Sequence, residues 1–108
     1  MIRGDLVTVS LPGDFGKPRP ALIVQSDLFN ETHPTLTLLP LTSDIRSAPQ
    51  FRITVEPSPT NGLRLVSQIM IDKPMTFRRD KIKEPFGRMD DDIMTRVGRA
   101  LAVWIGIA

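Results

Sequence analysis

The chain has 108 residues, 41% of them hydrophobic and 24% charged, with a formal charge of +2; this predicts one small globular domain over residues 1–108, to which self-association would add stability. The absence of cysteine excludes a disulfide framework, a thiolate zinc site and a cysteine nucleophile, and fits a cytoplasmic location. No apolar run is long enough to span a bilayer, and residues 1–5 lack the apolar stretch of a secretion leader.

Ten prolines argue against a helical bundle, because proline breaks helix interiors and marks turns and strand ends. Residues 5–11 alternate apolar and polar side chains, which predicts a half-buried strand. Residues 12–18 carry two glycines between prolines and read as a loop. The apolar run over residues 20–25 predicts a strand buried on both faces or nearly so. A further strand is expected over residues 35–41, a polar loop over 42–49, an alternating strand over 51–55, a turn over 57–62 ending in Asn61-Gly62, and a strand over 67–71. Phe77, Ile82 and Phe86 mark a last short strand or turn. The period then changes. Asp90 suits an N-cap, and Asp91 and Asp92 put negative charge at the positive end of a helix dipole. Ile93, Met94, Val97, Leu101, Trp104 and Ile105 recur at helical spacing, predicting an amphipathic helix over residues 91–105. Strands first and one terminal helix predict a mainly β fold: a strongly curved antiparallel sheet or small barrel with a C-terminal α-helix packed on it.

Charge is unevenly distributed. Arg64, Lys73, Arg78, Arg79, Lys81, Lys83 and Arg88 outnumber Asp72, Asp80 and Glu84 in the same stretch. Such an excess attracts phosphates, or is simply a solvated basic face.

The order of motifs resembles the MazF/PemK toxin family. The blocks that carry the likeness are Arg3-Gly4-Asp5 before an alternating strand, Arg19-Pro20-Ala21-Leu22-Ile23-Val24, the polar pair Asp27 and Asn30, Leu39-Pro40-Leu41-Thr42-Ser43, residues 62–76 with Ser67, Gln68 and Asp72, and Met89-Asp90-Asp91-Asp92-Ile93-Met94. The resemblance implies an SH3-like barrel, cleavage of single-stranded RNA without metal or other cofactor, a homodimer, and an antitoxin partner whose disordered acidic tail fills the substrate groove. It assigns catalysis to Arg19, Thr42 and Asp72; Lys17, Ser43, Arg46, Gln68 and Lys73 are expected to contact the RNA. The residue types suit that chemistry. A guanidinium fork grips a phosphate bidentately, a hydroxyl can bind the phosphate or orient the ribose 2′-hydroxyl, and a carboxylate with a shifted pKa can move a proton. Arg46 would meet phosphate, while Phe51 begins an alternating strand and is expected in the core. The first loop has no histidine, Met70 stands where some relatives carry an arginine, and Met75 precedes Thr76 where many do. His33, the one histidine, lies in an expected turn and is a weaker acid–base candidate.

A rival reading comes from the C-terminus. Trp104-Ile105-Gly106-Ile107 resembles the terminal Trp-Gly-Ile of the CcdB gyrase poisons, with Ile105 inserted. On a helix that insertion redirects the side chains, and the apolar stripe gives Trp104 a packing role. A third reading is a barrel that binds RNA or antitoxin without cutting.

Overall fold

The computed structural model describes residues 1–13 and 16–108; part of the loop expected over residues 12–18 thus falls outside the described residues. The elements are β1 (Asp5–Ser10), β2 (Pro18–Ile23), α1 (Asp27–Asn30), β3 (Thr35–Thr42), β4 (Arg52–Val55), β5 (Ser67–Met70), β6 (Met75–Arg78), β7 (Gly87–Arg88) and α2 (Asp91–Trp104). Every strand pairing is antiparallel, in the order β4-β5-β3-β2-β1-β7, with β6 added to β3. The long β3 makes the curl. It pairs with β6 from Thr35↔Arg78 to Leu38↔Met75 and then with β5 at Leu41↔Ile69 and Thr42↔Gln68. A curled antiparallel half-barrel with a C-terminal helix results, as the alternating strands predict.

Core packing explains why residues 20–25 read as a continuous apolar run. One cluster joins Leu6, Leu22, Leu39, Leu41, Ile53, Ile69 and Ile71 to Val97 of α2. A second covers the opposite sheet face with Val7, Val9, Ala21, Ile23, Leu36, Leu38 and Ile82. Successive residues of β2 therefore point into different cores, and Ala21, Leu22 and Ile23 are all fully buried. Phe51 packs against the first cluster, as expected.

Several elements differ from the sequence expectation. Strand β2 begins at Pro18, two residues early, because Pro18 and Pro20 sit opposite Ser10 and Thr8 of β1. Helix α1 was not expected; Ser26 Oγ accepts the Leu28 N–H at 3.2 Å and starts its single turn. The last strand or turn resolves into β6, a 3-10 turn at Arg79–Lys81, and β7. Asp90 occupies the N-cap of α2 but its carboxylate makes no capping hydrogen bond, so its help is confined to charge near the dipole. The helix stops one residue early, at Trp104. Gly106, at φ +83°, sends its N–H to Val103 O while Ile107 N–H reaches Ala102 O, which closes a Schellman motif. Ile93, Met94, Val97 and Leu101 meet the core, and Trp104, 51% exposed, keeps one contact there, its ring centroid 5.9 Å from that of Phe51; Ile105 is 59% exposed.

Candidate nucleic-acid interface

Two prolines open the sheet where the candidate residues lie. The β2–β3 ladder runs from Ile23↔Leu38 to Ala21↔Pro40 and stops there. Pro18 and Pro20 fall on the same alternate positions as Val24, whose N–H meets Thr37 O of β3, and carry no N–H with which to extend the ladder. Two residues beyond the last pair, on either strand, are Arg19 and Thr42. Both border a groove of about 590 Å³ formed where the strands separate. Alternation puts Arg19 and Thr42 on one face of the sheet, with Ser43 and Ser67 on the other.

Lys17, Arg19 and Arg64 are the cations of this groove, Thr42, Ser43 and Ser67 supply hydroxyls, and Leu63, Leu65 and Phe86 form an apolar wall. No carboxylate lines it among the described residues. Three cations gathered in one groove favour a phosphodiester, and the exposed Leu65 and Phe86 offer surface for bases. The wall is held by the turn before it. Asn61, 1% exposed, accepts the N–H groups of Ser58 and Leu63 and donates to Glu56 O, all within 3.0 Å. A Cβ on Gly87 would lie 2.0 Å from Asn61 O, so only glycine lets β7 approach this turn.

Thr42 is 8% exposed, and its Oγ1 accepts the Asp44 N–H at 3.1 Å. A hydroxyl in that role keeps its own hydrogen for donation. Lys17, Arg19, Thr42 and Ser43 are therefore brought together. Gln68 sits directly across from Thr42 on β5, but its amide is engaged with Arg46, Thr54 and Arg52. Arg46 projects outward from the same loop, 68% exposed and paired with Asp44 at 2.8 Å. Asp72 and Lys73 are not in the groove. Asp72 lies in the turn that follows β5, with Oδ2 3.6 Å from Lys73 Nζ. Its Oδ1 is buried without a hydrogen-bond partner among the described residues. His33 lies at the far end of β3, its Nδ1 3.0 Å from Thr35 Oγ1.

The sequence reading passed over Arg64 and Ser67 as groove residues. Ser67 was legible in principle, since it precedes the strand position facing Thr42; Arg64 lies in a loop with no periodicity to place it. Among the described residues no group of three His, Cys, Asp or Glu side chains is arranged to hold a metal ion. No helix among them is long and apolar enough to cross a membrane.

Residues 2–105 match the family described as the PemK-like, MazF-like toxin of type II toxin–antitoxin systems. The chain belongs to that family. This toxin is 44% identical over 109 residues to a probable endoribonuclease MazF of Mycolicibacterium smegmatis, covering 100% of this chain and 99% of the relative. Endoribonuclease EndoA of Bacillus subtilis is 24% identical, with 97% and 94% covered. A solved mycobacterial endoribonuclease in complex with its cognate antitoxin superposes with a TM-score of 0.84 at 22% identity, covering 100% of the toxin and 97% of that chain. The gyrase-poison reading of the C-terminus is not favoured: the family match lies elsewhere, and Gly106 there terminates α2.

Proposed function

We propose that this toxin is an endoribonuclease whose groove binds a single strand of RNA and cuts it by attack of a ribose 2′-hydroxyl on the adjacent phosphorus. The carrying observation is the groove itself, with Lys17, Arg19 and Arg64 beside Thr42 and Ser43. The endoribonuclease names of its relatives in M. smegmatis and B. subtilis support the same reading.

In the reaction the 2′-oxygen bonds to phosphorus and the bond to the 5′-oxygen breaks. A 2′,3′-cyclic phosphate and a 5′-hydroxyl result. The 2′ proton leaves to water in the open groove, and the 5′-oxygen takes one back. Arg19 grips the non-bridging oxygens as negative charge builds on the phosphorane, and Thr42 donates its hydroxyl hydrogen to the same group. Donors fixed in advance at developing charge supply the largest share of such rate enhancements. Ser43, Arg46, Lys17 and Lys73 extend the RNA contact. Asp72 is given no proton-transfer step, because it stands away from Arg19 and Thr42 in the chain.

The toxin acts as a homodimer in the cytoplasm, and an antitoxin with a disordered acidic tail occupies the cationic groove. Val103, Trp104, Ile105 and Ile107, each more than half exposed at the end of α2, support self-association. The complex of the mycobacterial structural neighbour with its antitoxin supports a protein inhibitor.

The test is incubation of purified toxin with labelled single-stranded RNA in EDTA. Fragments ending in cyclic phosphate are expected. Intact RNA across all sequences tried, with DNA gyrase trapped on DNA, would overturn the proposal in favour of the gyrase reading.

A further inference from the structure

The loop after Thr42 is tied down more firmly than its polar sequence suggests. Gln68 is 4% exposed, and its side-chain amide faces the backbone of Arg46. Arg46 N–H donates to Gln68 Oε1 at 3.0 Å, and Gln68 Nε2 donates to Arg46 O at 2.9 Å. One side chain thus imitates a strand neighbour for a loop residue. The same Nε2 donates to Thr54 Oγ1 at 3.1 Å. Arg52 completes the arrangement: its Nη1 donates to Gln68 Oε1 at 3.1 Å and to Asp44 O at 2.8 Å. With Asp44 N–H on Thr42 Oγ1, both backbone polar groups of Asp44 and both of Arg46 are held. What remains for a ligand are the outward side chains: the Asp44–Arg46 ion pair, its members 63% and 68% exposed, and Ile45, 48% exposed.

We propose that Gln68 and Arg52 are positioning residues that hold residues 44–46 as a preformed rim beside Thr42, and that the Asp44–Arg46 pair on this rim reads a base next to the scissile phosphate. The proposal rests on the ribonuclease reading and deepens it: it names where sequence selectivity is built. The chemistry fits base edges. A carboxylate accepts from an exocyclic amino group, and a guanidinium donates to a ring nitrogen or keto oxygen. Such readout discriminates only when the groups are fixed, since a mobile loop adapts to any base. Gln68, expected from the sequence to contact RNA, instead acts through the loop it holds.

Two readouts test this. The first is the ratio of kcat/KM for a preferred RNA over RNAs with one base changed beside the cut. Gln68→Leu and Arg46→Ala should each lower that ratio at least tenfold. Gln68→Glu keeps the acceptor for Arg46 N–H but loses the donor to Arg46 O, so it should fall between. The second is hydrogen exchange of the Arg46 amide without RNA, which should quicken at least tenfold in Gln68→Leu. If Gln68→Leu does not fold, Arg52→Leu carries both comparisons. An unchanged ratio in folded variants overturns the base-reading role, because loss of stability alone would slow all RNAs together. Unchanged exchange overturns the clamp. A wild type that cuts no RNA overturns the ribonuclease reading and the base-reading role with it, whatever the exchange shows.

Discussion

Two polar regions at opposite ends of the curled sheet use their side chains in opposite ways. At one end Gln25, Asp27 and Asn30 form a closed network. Asn30, 1% exposed, donates to Gln25 O at 3.0 Å and Asp27 Oδ1 at 2.8 Å, and accepts from Gln25 Nε2 at 2.9 Å. Gln25 also accepts the Thr37 N–H, and Asp27 accepts the Arg3 N–H. The network ties the N-terminus, α1 and β3 together. At the other end Lys17, Arg19, Arg64 and Thr42 gather around a groove with no lining carboxylate among the described residues. The first region satisfies its own charges and stabilises the fold. The second gathers cations and hydroxyls along an open groove that suits a polyanion.

The largest expected effect breaks the open region without touching the closed one. Arg19→Ala should lower RNA cleavage by at least roughly 100-fold, in line with about 2.7–4 kcal/mol for a lost donor to developing charge. Its melting temperature, read by circular dichroism, should stay near that of the wild type. The next change does the reverse. Asn30→Ala leaves the partners of a buried amide unsatisfied and should cost about 1–3 kcal/mol of stability in urea denaturation, with cleavage per folded molecule retained.

How much of this contrast the sequence disclosed depends on what each residue reports locally. Alternation exposed the strands, and the 3.6-residue period exposed α2 to within one residue. Arg19 and Thr42 were legible as candidates, yet their gathering at one groove is a matter of strand register, and the β2–β3 ladder ends just short of them. Asp72 illustrates the converse. It follows Ser67 closely in sequence, but it sits in the turn beyond β5 and does not line the groove. Gln68 looked like any polar strand residue, because nothing local says that its amide will meet a loop backbone. The one-turn α1 was too short for a periodic signal, and the apolar stripe of α2 runs on to Trp104 and Ile105, which stay more than half exposed although Trp104 touches Phe51.

The smallest expected effect sharpens the closed region through pH. The Arg3 backbone N–H, followed by the Asn30 amide and the Arg88 and Arg3 charges, holds Asp27 below the ordinary aspartate range despite some opposing burial. A lowered pKa means that ionised Asp27 favours the folded state. Its contribution is complete above the ordinary value of about 3.9 and is lost as pH falls through the lowered one. Asp27→Asn should therefore be modestly less stable than wild type at neutral pH, and the urea midpoints should converge on strong acidification.

The groove's role as the RNA site is tested most directly by mapping where RNA binds. A single-stranded RNA with a 2′-deoxy residue at the cut position cannot react, and its contacts can be read from backbone amide chemical shifts. The largest shifts are expected at Lys17, Arg19, Thr42, Ser43 and Arg64. Shifts centred instead on Gln25, Asp27 and Asn30, with the groove unmoved, would contradict the account.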